Sequence, residues 1–121
     1  MTKSILVVED QEDNRRILRD LLSSKGYEII EVTDGLAGVE AAKREKPDLI
    51  LMDIQLPGID GYEATRRIKA EPDLAGITII AVTSYALGGD KQKALEAGCD
   101  GYVAKPFSPR QLLAEIEQHL A

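Results

Sequence analysis

Glu9, Asp10, Asp53, Thr83 and Lys105 are the side chains of this sequence whose types and placement point to chemistry. Asp53 poses the problem most sharply. It ends the apolar run "DLILMD", which reads as a buried strand, and a turn follows at once. Burying an ionised carboxylate without partners is costly, so Asp53 needs company. Glu9 and Asp10 close another apolar run, "SILVVED". Three clustered carboxylates repel and raise one another's pKa values. A hard divalent cation relieves that repulsion, and oxygen donors without nearby His or Cys favour Mg²⁺ over zinc. Lys105 supplies a mobile positive charge for Asp53 or for an incoming phosphoryl oxygen. Thr83 offers that oxygen one more hydrogen bond. An aspartate is a competent nucleophile, and metal plus lysine offset the charge of a transferring phosphoryl group. The set therefore reads as phosphoryl acceptance on Asp53.

These residues work together only if the elements carrying them bring them together. Short apolar runs alternate with segments of helical period. Strand candidates are 4–10, 27–32, 48–53, 77–83 and 101–105. The first, third and fourth are almost continuously apolar, as for central parallel strands covered on both faces. The second and fifth read as nearer the edges. Ile17, Leu18, Leu21 and Leu22 mark a first helix, with Gly26 as its C-terminal cap. Leu36, Val39 and Ala42 mark a second, closed by Pro47. A third runs from Tyr62 to Ala70, a fourth from about Asp90 to Ala97. The fifth begins with Ser108 as N-cap and Pro109 in its first turn, and carries the stripe Leu112, Leu113, Ile116 and Leu120. The segments 71–76 and 87–90 read as loose loops.

Five βα units imply a doubly wound α/β fold, with five parallel strands and five helices in one domain over residues 1–121. Ligands of such sheets sit beyond the carboxyl ends of the strands, where all five reactive residues fall. Convergence requires the first, third, fourth and fifth strands to be neighbours. A net charge of −6 argues against nucleic acid as a partner. A single cysteine, Cys99, fits a reducing compartment, and no apolar run approaches a membrane span or signal peptide. The expected location is the cytoplasm.

At these residues the chain resembles the receiver domains of two-component response regulators, which have a flavodoxin-like topology. The resemblance covers the whole chain. It rests on Glu9-Asp10, Asp53 followed by "LPGIDG", Thr83, and Lys105-Pro106 before Phe107, in that order and each at a strand end. It implies that a histidine kinase or histidine phosphotransfer protein phosphorylates Asp53. It implies Mg²⁺ held by Asp10, Asp53 and the Gln55 main-chain carbonyl, with Glu9 acting through water. Thr83, Ser84 and Lys105 would bind the phosphoryl group. Thr83 would draw toward it and Tyr102 would change rotamer. The surface of the fourth helix, fifth strand and fifth helix would then change for a downstream protein effector. The Lys105-Pro106 peptide bond would be cis. Ser84 stands where the family more often has Ala. Tyr85 and Gln55 flank the path of hydrolytic water, and Tyr85 is expected to shield the phosphoryl group and slow its loss. Gly88-Gly89 reads as a loop before the fourth helix.

Other residues receive plainer readings. Asp10 is expected to share in capping the first helix. His119, in the last turn, faces the helix end or solvent and is not placed to phosphorylate Asp53. Cys99 is a small loop or core residue. "NRR" (14–16) and "RRIK" (66–69) read as solvated helix faces. Two competing functions are weaker. A Mg²⁺-dependent aspartyl-phosphate phosphohydrolase would carry a second acid two residues after its nucleophile, where this chain has Gln55. A flavodoxin-like cofactor binder would have a Ser/Thr/Gly-rich loop where this chain has "EDQED". The expected role is a phosphoacceptor signalling protein, not an enzyme. It is expected to stand alone, with a domain of a hybrid kinase or longer regulator as the alternative.

Overall fold

Five strands alternate with five helices, and the computed structural model describes residues 2–83 and 90–120. The strands are β1 (Ser4–Val8), β2 (Glu28–Val32), β3 (Leu49–Asp53), β4 (Thr78–Thr83) and β5 (Gly101–Ala104). The helices are α1 (Glu12–Ser23), α2 (Gly35–Glu45), α3 (Gly61–Ala70), α4 (Asp90–Ala97) and α5 (Pro109–Leu120). All pairings are parallel, in the order β2-β1-β3-β4-β5. The two strands with the weaker apolar runs, β2 and β5, are the edges. β1, β3, β4 and β5 are consecutive neighbours, so the ends carrying the reactive residues share one rim.

Strand alternation divides the core into two layers. Leu6, Val8, Ile50, Met52, Ile79 and Ala81 pack with Val39, Ala42, Ala64, Ile68 and Ala94 of α2, α3 and α4. Ile5, Val7, Leu49, Leu51, Ile80 and Val82 pack with Leu18 and Leu22 of α1 and with Leu112 and Ile116 of α5. The first helical stripe is narrower than its sequence indicates, because Ile17 is 57% exposed, as is Leu36 at 53%. A helix one layer from solvent buries only the residues within its contact arc. The α1 cap also differs: Ser24 is the cap residue, and Gly26 (φ 85°) turns the chain beyond it. The segment 71–76 is not loose, since Leu74 is buried in the core. α5 begins as the sequence indicates, with Ser108 Oγ accepting from the Gln111 amide at 3.0 Å.

Candidate functional site

The parity of the strands decides which side chains meet. Counting by twos, Val7 leads to Glu9, Leu51 to Asp53 and Val103 to Lys105, so all three follow the face covered by α1 and α5. Backbone pairing persists past the strand ends: the Glu9 amide donates to Val32 O at 3.1 Å and the Lys105 amide to Thr83 O at 2.7 Å. Thr83 and Tyr102 follow the opposite face, with Ala81. Glu9, Asp53 and Lys105 thus approach the rim from one side of the sheet, and Thr83 from the other. Both Thr83 and Asp53 are buried, at 1% and 6% exposure.

Carboxylate oxygens of Glu9, Asp10 and Asp53 lie within 4.8 Å of one another. Lys105 Nζ donates to Glu9 Oε1 at 2.7 Å and stands 3.6 Å from Asp53 Oδ2. The lysine therefore forms the expected ion pair with Asp53, but its shorter, hydrogen-bonded partner is Glu9. Glu9 Oε2 accepts from the Gln11 amide at 3.0 Å, so both oxygens of this buried carboxylate have donors. Asp53 Oδ1 accepts from the Gln55 amide at 3.2 Å. The mutual rise in pKa expected of clustered acids is divided unequally. Burial, then the Glu9 charge, push Asp53 up to about 6 against the pull of Lys105. Burial also raises Glu9, but the bonds from Lys105 and the Gln11 amide outweigh it and hold Glu9 below its usual range.

This donor set fits Mg²⁺. The three carboxylates offer hard oxygens, and one ammonium among them leaves two negative charges uncompensated when all are ionised. Burial first, and the Glu9 charge second, raise Asp53, and a divalent cation at these oxygens would offset the second. The close packing behind the site is set by glycine: a Cβ on Gly61 would stand 2.2 Å from the Asp53 carbonyl oxygen. The N-terminus of α3 can therefore seat directly against the end of β3.

The remaining residues singled out by sequence are distributed as follows. The Lys105-Pro106 peptide bond is cis. Tyr102 is half-buried on β5, packed against the layer of α2, α3 and α4. Gln55 is exposed beside Asp53. Ser84, Tyr85, Gly88 and Gly89 lie outside the described residues. Asp10 takes no part in capping the α1 backbone among the described residues; its Oδ2 accepts from the Gln11 side chain at 3.4 Å, and Glu9 receives the Gln11 amide instead. His119 pairs with Glu115 at 3.0 Å instead of facing solvent. Cys99 is buried, 3.7 Å from Thr65 Oγ1. Two basic residues read as solvated are not. Lys69 Nζ donates to the Ile77 carbonyl at 2.6 Å and to Asp100 at 3.0 Å. Arg15 is only 13% exposed and donates to the Glu9 carbonyl at 2.9 Å. Nothing in "NRR" marked Arg15 out from Arg16; only the closeness of α1 to the end of β1 does so.

A parallel sheet in this order, with an acid trio and a lysine at its C-terminal rim, defines the receiver class of two-component signalling proteins. The response regulator receiver domain model matches residues 5–117, and the chain belongs to that family. The polar-differentiation response regulator DivK of Brucella ovis is 42% identical over 120 residues, covering 99% of this chain and 98% of that protein. The receiver domain of sensor histidine kinase PA1611 from Pseudomonas aeruginosa, a crystal structure with magnesium in its active-site cleft, is 40% identical. It superposes with a TM-score of 0.92 over 99% of this chain and 98% of that one. The chemotaxis response regulator CheY4 of Vibrio cholerae is 25% identical, with a TM-score of 0.93 over 99% and 100% of the two chains. Among the described residues no helix is long and apolar enough to cross a membrane.

Proposed function

We propose that this receiver accepts a phosphoryl group on Asp53 from a phosphohistidine of a kinase or phosphotransfer partner. The observation that carries the reading is the convergence of Glu9, Asp10 and Asp53 within 4.8 Å, with Lys105 3.6 Å from the acceptor. Asp53 contributes an oxygen lone pair to phosphorus as the phosphorus–nitrogen bond breaks, and the electron pair leaves with the imidazole. Lys105 exchanges part of its bond with Glu9 for an oxygen of the arriving group. Thr83, buried on the other face of the sheet, donates its hydroxyl to a second oxygen, and the Ser84 amide serves a third. Mg²⁺ would be held by Asp10, Asp53 and the Gln55 carbonyl, with Glu9 through water, and supplies charge neutralisation at the transferring group.

The output is a changed surface of α4, β5 and α5, read by a downstream protein. Movement of Thr83 toward the phosphoryl group vacates space into which Tyr102, on the same face, turns. The likeness to DivK, matched over 98% of its length, supports a stand-alone receiver, one domain over residues 1–121. The likeness to the PA1611 receiver favours a second reading, a domain of a sensor kinase. A phosphohydrolase is disfavoured by Gln55, whose amide side chain cannot act as general acid. The test is intact mass after incubation with Mg²⁺ and acetyl phosphate. A gain of one phosphoryl mass, lost in Asp53→Asn and with chelator, is expected. No gain with either acetyl phosphate or a phosphorylated histidine phosphotransfer protein would remove the acceptor reading.

A further inference from the structure

Glu9 and Asp10 are joined by one peptide unit, and the carbonyl of that unit is gripped by Arg15 Nη1 at 2.9 Å. A peptide unit is planar, so holding its carbonyl fixes the plane through which the Glu9 and Asp10 α-carbons are joined and narrows the directions open to both acidic side chains. The guanidinium is itself held. Its Nη2 pairs with Glu12, and its Nε lies 3.8 Å from Glu31 Oε1. Glu31 is in turn clamped by Arg19 through two bonds, at 2.6 and 2.9 Å. Arg15 is 13% exposed, whereas Arg16, on the next position of the same helix, is 60% exposed. The Glu9 amide is fixed too, by Val32 O at 3.1 Å. Arg15 therefore ties the acidic turn to α1 and to edge strand β2.

We propose that Arg15 is a positioning residue for the metal site, holding the Glu9–Asp10 peptide in the orientation that presents both carboxylates toward Asp53. The inference rests on the Mg²⁺ reading given above. It has a consequence of unusual sign. Removing a positive charge near a cation site strengthens cation binding by simple electrostatics. Removing an orienting hydrogen bond weakens it, typically by ten-fold or more. The two effects oppose, so their sum reports which role Arg15 has.

The experiment is calorimetric titration of Mg²⁺ into the metal-free chain at fixed ionic strength. Arg15→Met should bind about ten-fold more weakly than the wild type. Arg16→Met makes the same charge change on the same helix but leaves the Glu9 carbonyl bond and the Glu31 contacts in place, and should bind equally or slightly more tightly. Arg15→Lys, keeping one donor and the charge, should recover most of the loss. A readout without substitution is the Arg15 guanidinium N–H resonance, which should shift with the same midpoint as metal binding. Arg15→Met binding as tightly as wild type would overturn the positioning role alone, as would an Arg15 resonance that stays still through the titration. Wild-type protein that takes up no Mg²⁺ would overturn the metal reading and this inference with it.

Discussion

Asp53 and Glu9 are both buried carboxylates, yet the fold treats them oppositely. Glu9 takes the lysine and an amide, and stays easily ionised. Asp53 is left with the weaker share of Lys105 and is pushed up to about 6. The folded protein thus binds the Asp53 proton more tightly than the unfolded chain does. Its contribution to stability is full below the unfolded carboxyl range near pH 4 and is lost as pH rises through about 6. In chelator, denaturant unfolding at a series of pH values should show Asp53→Asn gaining on the wild type across that window. At pH 7 the gain should reach on the order of 2 kcal/mol. Lys105→Met should act the other way, leaving buried Glu9 without its cation and with only the Gln11 amide. A loss of about 1–3 kcal/mol is expected, reduced from the fully buried case by the partial exposure of Lys105, and measurable in the same titrations. The identities of these residues were legible in the sequence because each ends an apolar run. Their pairing was not, since the choice of Lys105 between Glu9 and Asp53 depends on distances of about an ångström.

At the level of elements, apolar runs and helix-boundary residues located each strand and helix within a few residues. The runs are long enough, and Pro and Gly punctuate them clearly. Packing arcs were less legible: Ile17 and Leu36 have helical spacing yet face outward. Arg15 shows the same limit from the polar side, since helix phase alone did not distinguish it from Arg16. The α3–β3 junction is where element packing governs the site. Gly61 lies so close to the end of β3 that a Cβ would also meet Ile54 Cα at 2.8 Å. Gly61→Ala should therefore cost about 1–3 kcal/mol despite Ala being the better helix former. It should also slow phosphorylation of Asp53 by displacing the acceptor backbone. Unfolding midpoints and initial rates of acetyl phosphate labelling would check both. A variant as stable and as fast as wild type would mean that α3 shifts freely.

For the whole molecule, the sequence announced a parallel α/β sheet, but its strand order entered only as a condition for the site. β2-β1-β3-β4-β5 satisfies that condition by making the four functional strand ends neighbours. Strand order is set by non-local pairing, which alternation of elements does not encode. The same architecture concentrates negative charge on one rim, so the proposed Mg²⁺ binding would be linked to folding. Ligands that bind only the folded state raise its stability by mass action. Mg²⁺ should raise the thermal midpoint in proportion to the logarithm of its concentration above the dissociation constant, and much less so in Asp53→Asn. An equal rise in both proteins would place the bound metal away from Asp53.

Phosphorylation at Asp53 is the step on which the proposed function depends. Borohydride converts an aspartyl phosphate to homoserine, so reductive trapping after acetyl phosphate and Mg²⁺, followed by peptide mass spectrometry, reads the site directly. Homoserine at position 53, absent with chelator, is the predicted result. Homoserine at position 10, or a phosphoryl mass on the protein without homoserine at position 53, would exclude Asp53 as the acceptor.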